Sequence, residues 1–223
     1  MKKLVIIGAG GFGKQTSEIV NRLISQGEQI QLKGFLDSNK SLHNQKINDI
    51  RVLGDIDWIN SEDPNEKNYF VCSIADPATR EKVVIEARKL KYIPYTLVDP
   101  SVIQGYGVKI GEGSIICPGV ILTSNISINS YVIINRLCSI GHDVNISDFC
   151  TINPLTAIGG YVHLKKSVLI GAHSSILQKL SVGKNSVIGA GASVISDVPE
   201  SVLVVGVPGK IKKEIFKKQL FSR

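Results

Sequence analysis

The sequence predicts two unlike halves, a small α/β domain over residues 1–100 and an all-β parallel β-helix over residues 101–223. Three observations carry this. Aliphatic residues recur at every sixth position from 110 to 194, a glycine-rich turn (GAGGFG) follows a short apolar run near the N-terminus, and the chain is 43% hydrophobic but only 6% aromatic. A core rich in Ile, Val and Leu and poor in rings suits small, uniform β layers. The length of 223 residues is ample for one or two domains with real cores.

The N-terminal elements come first. Residues 4–7 read as a buried strand, followed by Gly8, Gly10 and Gly13 and then by a helical stretch to about Ser25. A second strand at 32–36 ends on Asp37, and a third lies at 69–74. Residues 77–90 read as a helix with Pro77 near its start and Asp76 as N-cap. Alternating strands and helices predict a small parallel sheet. Strand, GxGxxG, helix and an acid some twenty residues on form the dinucleotide fingerprint, in which the helix N-terminus receives phosphate. A tight turn alone would also use these glycines. A full dinucleotide fold needs two such halves, and only about a hundred residues precede the repeat. The domain is therefore half-Rossmann-like, and it suits a mononucleotide moiety such as that of a nucleotide-sugar. Gly10, Gly11 and Phe12 would approach the ligand, and Asp37 would hydrogen-bond its base or ribose.

The repeat runs Ile110, Ile116, Leu122, Ile128, Ile134, Ile140, Ile146, Ile152, Ile158, Leu164, Ile170, Ile176, Val182, Ile188, Val194. A second series of mostly small or β-branched residues follows each by four positions, including Ser114, Val120, Cys138, Cys150, Thr156, Ser174 and Ala192. A helix repeats its apolar residues every three or four positions and a strand every two, so neither explains a period of six. A short strand plus a turn does. Three hexads close one triangular coil of eighteen residues, and stacked coils place residue i under i+18 at about 4.8 Å. Each coil is stabilised by its neighbours. No residue is inserted between 110 and 194, so no long loop leaves the prism there.

The net charge is +7, much of it in residues 210–223. These read as a solvated helical tail or, alternatively, as a basic rim for an anionic ligand such as coenzyme A. Only two aromatic residues, Phe216 and Phe221, accompany that charge, and nucleic acid is the less expected partner. The four cysteines lack CxxC spacing and read as small core residues. The N-terminal apolar run is too short for a signal peptide and no run has the length of a membrane span, so a cytoplasmic location is expected.

Four stretches resemble one family: VIIGAGGFGK at 5–14, GFLD at 34–37, NRLCSIGHD at 135–143 and VVGVPGK at 204–210. In this order they make essentially the whole chain similar to the bacterial hexapeptide-repeat sugar acyltransferases. That family includes nucleotide-aminosugar N-acetyltransferases of the bacillosamine and perosamine type and sialic acid O-acetyltransferases. The resemblance implies a left-handed prism, acetyl-CoA as co-substrate, and a homotrimer with sites between subunits. It implies His142 as catalytic base, Asp143 as the acid that orients it, and Gly160, one coil above His142, as oxyanion donor. Asn135 matches a position near the acceptor. The implied coenzyme A contacts are Gly160, Ala172, Ala190 and Pro208 of the 206–208 turn, with Lys184 or Lys210 meeting a phosphate. Where some members carry a second His nine residues after the base that helps to hold acetyl-CoA, this chain has Thr151, whose hydroxyl would partly substitute in that contact.

The chemistry is reasonable without the family. Acyl transfer from a thioester needs a proton removed from the attacking amine or hydroxyl, and a neutral imidazole does this near pH 7. A surface His paired with an adjacent acid is the plainer alternative. His142, His163 and His173 lie 21 and 10 residues apart, so none stacks on another at 18. That spacing does not converge three ligands on a metal, and none is expected. The leading expectation is acetyl transfer to the amine of a nucleotide-linked 4-amino-4,6-dideoxysugar. O-acetylation of sialic acid or another sugar, and a non-catalytic binding β-helix, are the alternatives. Coupled nucleotidyl transfer would need a far larger N-terminal domain.

Overall fold

A computed structural model describes residues 1–63 and 66–215. It divides into two compact units, one of Met1–Pro100 with Glu112–Ile115 and the other of the remaining residues.

The first unit is an α/β sheet. Its elements are β1 (Lys2–Ile7), α1 (Gly11–Ser25), β2 (Ile30–Leu36), β3 (Lys46–Ile47), β4 (Ile50–Gly54), β5 (Asn68–Cys72), α2 (Pro77–Lys89) and β6 (Ile93–Pro94). The strand order is β3-β4-β2-β1-β5-β6, with only β3 antiparallel. Leu4, Val5, Ile6 and Ile7 of the central β1 are buried, as a strand covered on both faces requires. Asp76 caps α2 through Thr79 N–H at 2.8 Å. The β3–β4 hairpin was not anticipated. Its turn residues Asn48 and Asp49 both have positive φ, the backbone that two-residue hairpin loops demand.

The second unit is the left-handed parallel β-helix, built of two-residue strands on three faces. The first face carries Ile133–Ile134, Thr151–Ile152, Leu169–Ile170 and Val187–Ile188; the second carries Ile103–Gln104, Ile121–Leu122, Ser139–Ile140, Ala157–Ile158, Ser175–Ile176 and Ser193–Val194; the third carries Lys109–Ile110, Ser127–Ile128, Asn145–Ile146, His163–Leu164 and Ser181–Val182. Within these faces partners stand eighteen residues apart. On the second face, for example, Leu122 pairs with Ile140 and Ile140 with Ile158.

The inward ladder is buried from Ile116 to Val194, while Ile110 at the first coil is half-buried. Each such side chain contributes about 1.5–3 kcal/mol of burial. In the second series the polar members are satisfied internally. Thr156 donates to Asn153 O at 2.7 Å, Ser174 to Gly171 O at 2.8 Å and Ser186 to Pro199 O at 2.6 Å. Cys72, Cys117, Cys138 and Cys150 are free and buried. Leu180 is the half-buried exception in this series.

The register changes at the C-terminal end, where Val187 pairs with Leu203, sixteen residues on. There Val202–Val205 receives Lys210–Glu214 as an antiparallel partner. This corrects the helical reading of the basic tail over these residues. A terminal strand leaves a row of backbone donors and acceptors open, and the tail pairs with it; residues 216–223 lie outside the described residues. No helix among the described residues is long and apolar enough to cross a membrane.

Candidate active site

In the first unit the glycines of GAGGFG divide by role. A Cβ on Gly13 would stand 2.0 Å from Gly8 O, and Gly8 itself has φ +103°. These two glycines allow α1 to pack close against the end of β1. A Cβ on Gly10 or Gly11 would meet nothing within 4 Å, so packing does not require glycine there. Gly11 opens α1 and Phe12 lies in its first turn, where N–H groups lack intrahelical acceptors and favour an anion.

Asp37 follows β2. Its Oδ2 accepts from Ala9 N–H at 2.8 Å and its Oδ1 from Asn39 N–H at 2.9 Å. The carboxylate thus ties the β1 turn to the β2 loop before any ligand is considered. Asp37 also lines a cavity of about 510 Å³ with Gly8, Asp55, Ile56, Lys82 and Glu86 among its other walls. The cavity lies beyond the carboxyl ends of β1 and β2, where open α/β sheets bind ligands. Gly10, Gly11 and Phe12 are not among its lining residues. Buried Arg80 supports one wall, donating to Ile74 O at 2.6 Å and Ala75 O at 3.0 Å.

In the second unit His142 stands at the corner between the second and third faces. Its Nδ1 is 2.8 Å from Asp143 Oδ2, and the imidazole is half-exposed. A carboxylate at this distance places the proton on Nδ1 and leaves the Nε2 lone pair free. Gly160 lies one coil above. A Cβ there would stand 2.8 Å from both Nε2 and Cε1 of His142, so the imidazole rests against the Gly160 backbone. Gly141 serves the same approach from below, since a Cβ on it would stand 2.6 Å from Gly160 N. The Tyr161 ring meets the imidazole edge-to-face, with centroids 5.0 Å apart and planes at 90°.

The other expected residues lie elsewhere. Asn135 is buried at the corner between the first and second faces, its Oδ1 accepting from Arg136 N–H at 2.8 Å. Ala172 and Ala190 share that corner, half-buried and exposed respectively. Pro208 is exposed in the turn after Val202–Val205. Thr151, expected to help hold acetyl-CoA, is fully buried on the first face beside inward Ile152. Lys184, Lys210, His163 and His173 are exposed. Among the described residues no group of three or more His, Cys, Asp or Glu is placed to hold a metal ion.

Residues 3–87 match the family described as the PglD N-terminal domain. A GDP-perosamine N-acetyltransferase of Escherichia coli O157:H7 is 31% identical over 139 residues, and the match spans 61% of this chain and 61% of that relative. Among solved structures, PerB of Caulobacter crescentus, in complex with CoA and GDP-perosamine, superposes with a TM-score of 0.83 at 26% identity, covering 96% of this chain and 98% of that one. The chain is similar to the aminosugar acetyltransferases. The acetyltransferase domain of PglB from Neisseria gonorrhoeae FA1090, in complex with acetyl coenzyme A, agrees, with a TM-score of 0.84 at 26% identity over 94% of this chain and 98% of that one.

Sequence reasoning passed over Gly141 and Tyr161. The register held the signal for both. Gly141 precedes the base at its corner, and Tyr161 stands eighteen residues after Asp143. It also passed over Asp55, Lys82 and Glu86, which meet Asp37 only across the folded sheet.

Proposed function

We propose that the protein transfers acetyl from acetyl-CoA to the amine of a nucleotide-linked 4-amino-4,6-dideoxysugar. The observation that carries this is the His142 imidazole, held by Asp143 at Nδ1 and resting against Gly160 at Nε2. Nε2 takes a proton from the amine as its nitrogen attacks the thioester carbonyl. The oxyanion of the tetrahedral intermediate faces the Gly160 N–H. Collapse breaks the carbon–sulfur bond, and the imidazolium returns its proton to the departing thiolate. Asp143 keeps the imidazole in the required tautomer and offsets its charge in between.

The cavity beside Asp37 receives the base or ribose, and the first turn of α1 at Gly10–Phe12 receives the diphosphate. Coenzyme A lies along a groove bordered by Gly160, Ala172, Ala190 and Pro208, whose small side chains admit the pantetheine close to the backbone. Two corners of the prism contribute to this list, which suits a groove completed by a neighbouring copy. Among the described residues 101–195, the exposed large hydrophobics are Ile103, Tyr106, Ile121, Leu137, Leu155, Tyr161, Leu177 and Ile195. All lie on the second face or its two corners, and their shared location supports a homotrimer with sites between subunits. Asn135, from that edge, sits near the acceptor in this reading, and the whole enzyme works in the cytoplasm.

The test is thiol release from acetyl-CoA with a panel of UDP-, dTDP- and GDP-linked aminosugars and free sialic acid. Release with an aminosugar nucleotide is expected, and His142→Ala should lower kcat by about 10²–10⁴-fold. Release with sialic acid alone, or with no acceptor in the panel, would sink the proposal.

A further inference from the structure

We propose that Tyr161 is a positioning residue that sets the plane of the His142 imidazole; this rests on the reading of His142 as the base. Asp143 holds the ring at one nitrogen, which leaves rotation about the axis through that hydrogen bond. Gly160 offers a flat floor with no side chain to stop such rotation. The Tyr161 ring supplies the missing wall, at 5.0 Å between centroids and 90° between planes, the edge-to-face arrangement that aromatic pairs favour.

The backbone fixes where this wall stands. Tyr161 N–H donates to His142 O at 2.9 Å, so the two residues are locked across adjacent coils. Tyr161 also stands one coil above Asp143, and both have left-handed backbones, at φ +60° and +59°. The three groups that define the imidazole, namely the Asp143 carboxylate, the Gly160 backbone and the Tyr161 ring, therefore come from two stacked turns of the same corner. About half of Tyr161 remains exposed.

Two variants separate the ring from the backbone. Tyr161→Phe keeps the ring. Tyr161→Gly removes it at a φ that glycine adopts freely, so the coil is retained. With acetyl-CoA and the aminosugar nucleotide that the wild type uses, Tyr161→Gly should lower kcat about tenfold, the scale of a slightly misplaced catalytic group, with KM for acetyl-CoA unchanged. Tyr161→Phe should restore kcat. In NMR spectra, the His142 ring protons, assigned by their loss in His142→Ala, should move from their wild-type positions in Tyr161→Gly and stay near them in Tyr161→Phe. Wild-type kcat or unmoved His142 signals in Tyr161→Gly, with His142→Ala inactive, would overturn this inference alone. Full turnover in His142→Ala would overturn the base reading and this inference with it.

Discussion

Gly160→Ala puts the arrangement at the prism corner to its most direct test. The new Cβ would lie 2.8 Å from His142 Nε2 and Cε1, whereas unstrained carbon contacts begin near 3.5 Å. The imidazole must therefore retreat by about 0.7 Å. The backbone of Gly160 is not left-handed, so alanine is tolerated there and the ring is what yields. If it swings away from Asp143, the 2.8 Å bond from Nδ1 lengthens beyond the useful range for a hydrogen bond. Between two partners this open to solvent the bond is worth at most about 1 kcal/mol of stability, whereas misplacement of a reacting group by 1 Å costs roughly 10²-fold in rate. A fall in kcat of about a hundredfold is expected, read by thiol release under saturating substrates. The melting temperature should change little, because the clash falls on a half-exposed side chain. Wild-type kcat in the variant would refute the claim that the imidazole works from its rest against Gly160.

The glycines of the first turn should separate by readout. Gly13→Ala, with its Cβ 2.0 Å from Gly8 O, should cost about 3 kcal/mol in denaturant unfolding. Gly10→Ala, with open space at its Cβ, should stay within about 1 kcal/mol of wild type yet weaken UDP or GDP binding measured by calorimetry. Asp37→Ala strands the Ala9 and Asn39 N–H groups and should cost about 2 kcal/mol, visible as a lower melting temperature even without nucleotide. Burial pushes the Cys72 and Cys138 thiols from 9.0 up to about 11. Their protonated forms are favoured by folding, so this contribution is full below pH 9 and is lost as pH rises toward 11. Melting temperatures measured across that window should fall, and replacing both cysteines by alanine should flatten the slope.

Much of the prism was legible because a period of six converts sequence spacing into spatial neighbours. Ile140, Ile158 and Ile176 could be stacked on paper, and so could Gly160 over His142. The α/β unit was legible from β1, the glycine turn and the cap at Asp76, since each is a local signal. The β3–β4 hairpin was missed because its strands are short and its turn residues, Asn48 and Asp49, carry no glycine. The basic tail was misread at Lys210–Glu214 because strand pairing there depends on an open partner, which no local pattern announces.

The sequence by itself determined the ladder, its register of eighteen, and hence the meeting of His142, Asp143 and Gly160 at one corner. That follows because stacking coils repeats backbone hydrogen bonds at a constant interval, whatever the side chains are. Only the tertiary structure decided what those side chains then do. It turned the Tyr161 ring onto the imidazole, engaged both oxygens of Asp37 with backbone N–H groups, buried Thr151 and gathered Asp55, Lys82 and Glu86 around a cavity. Rotamers, burial and partners depend on every neighbour in space, and a repeat fixes only which backbone positions those neighbours occupy.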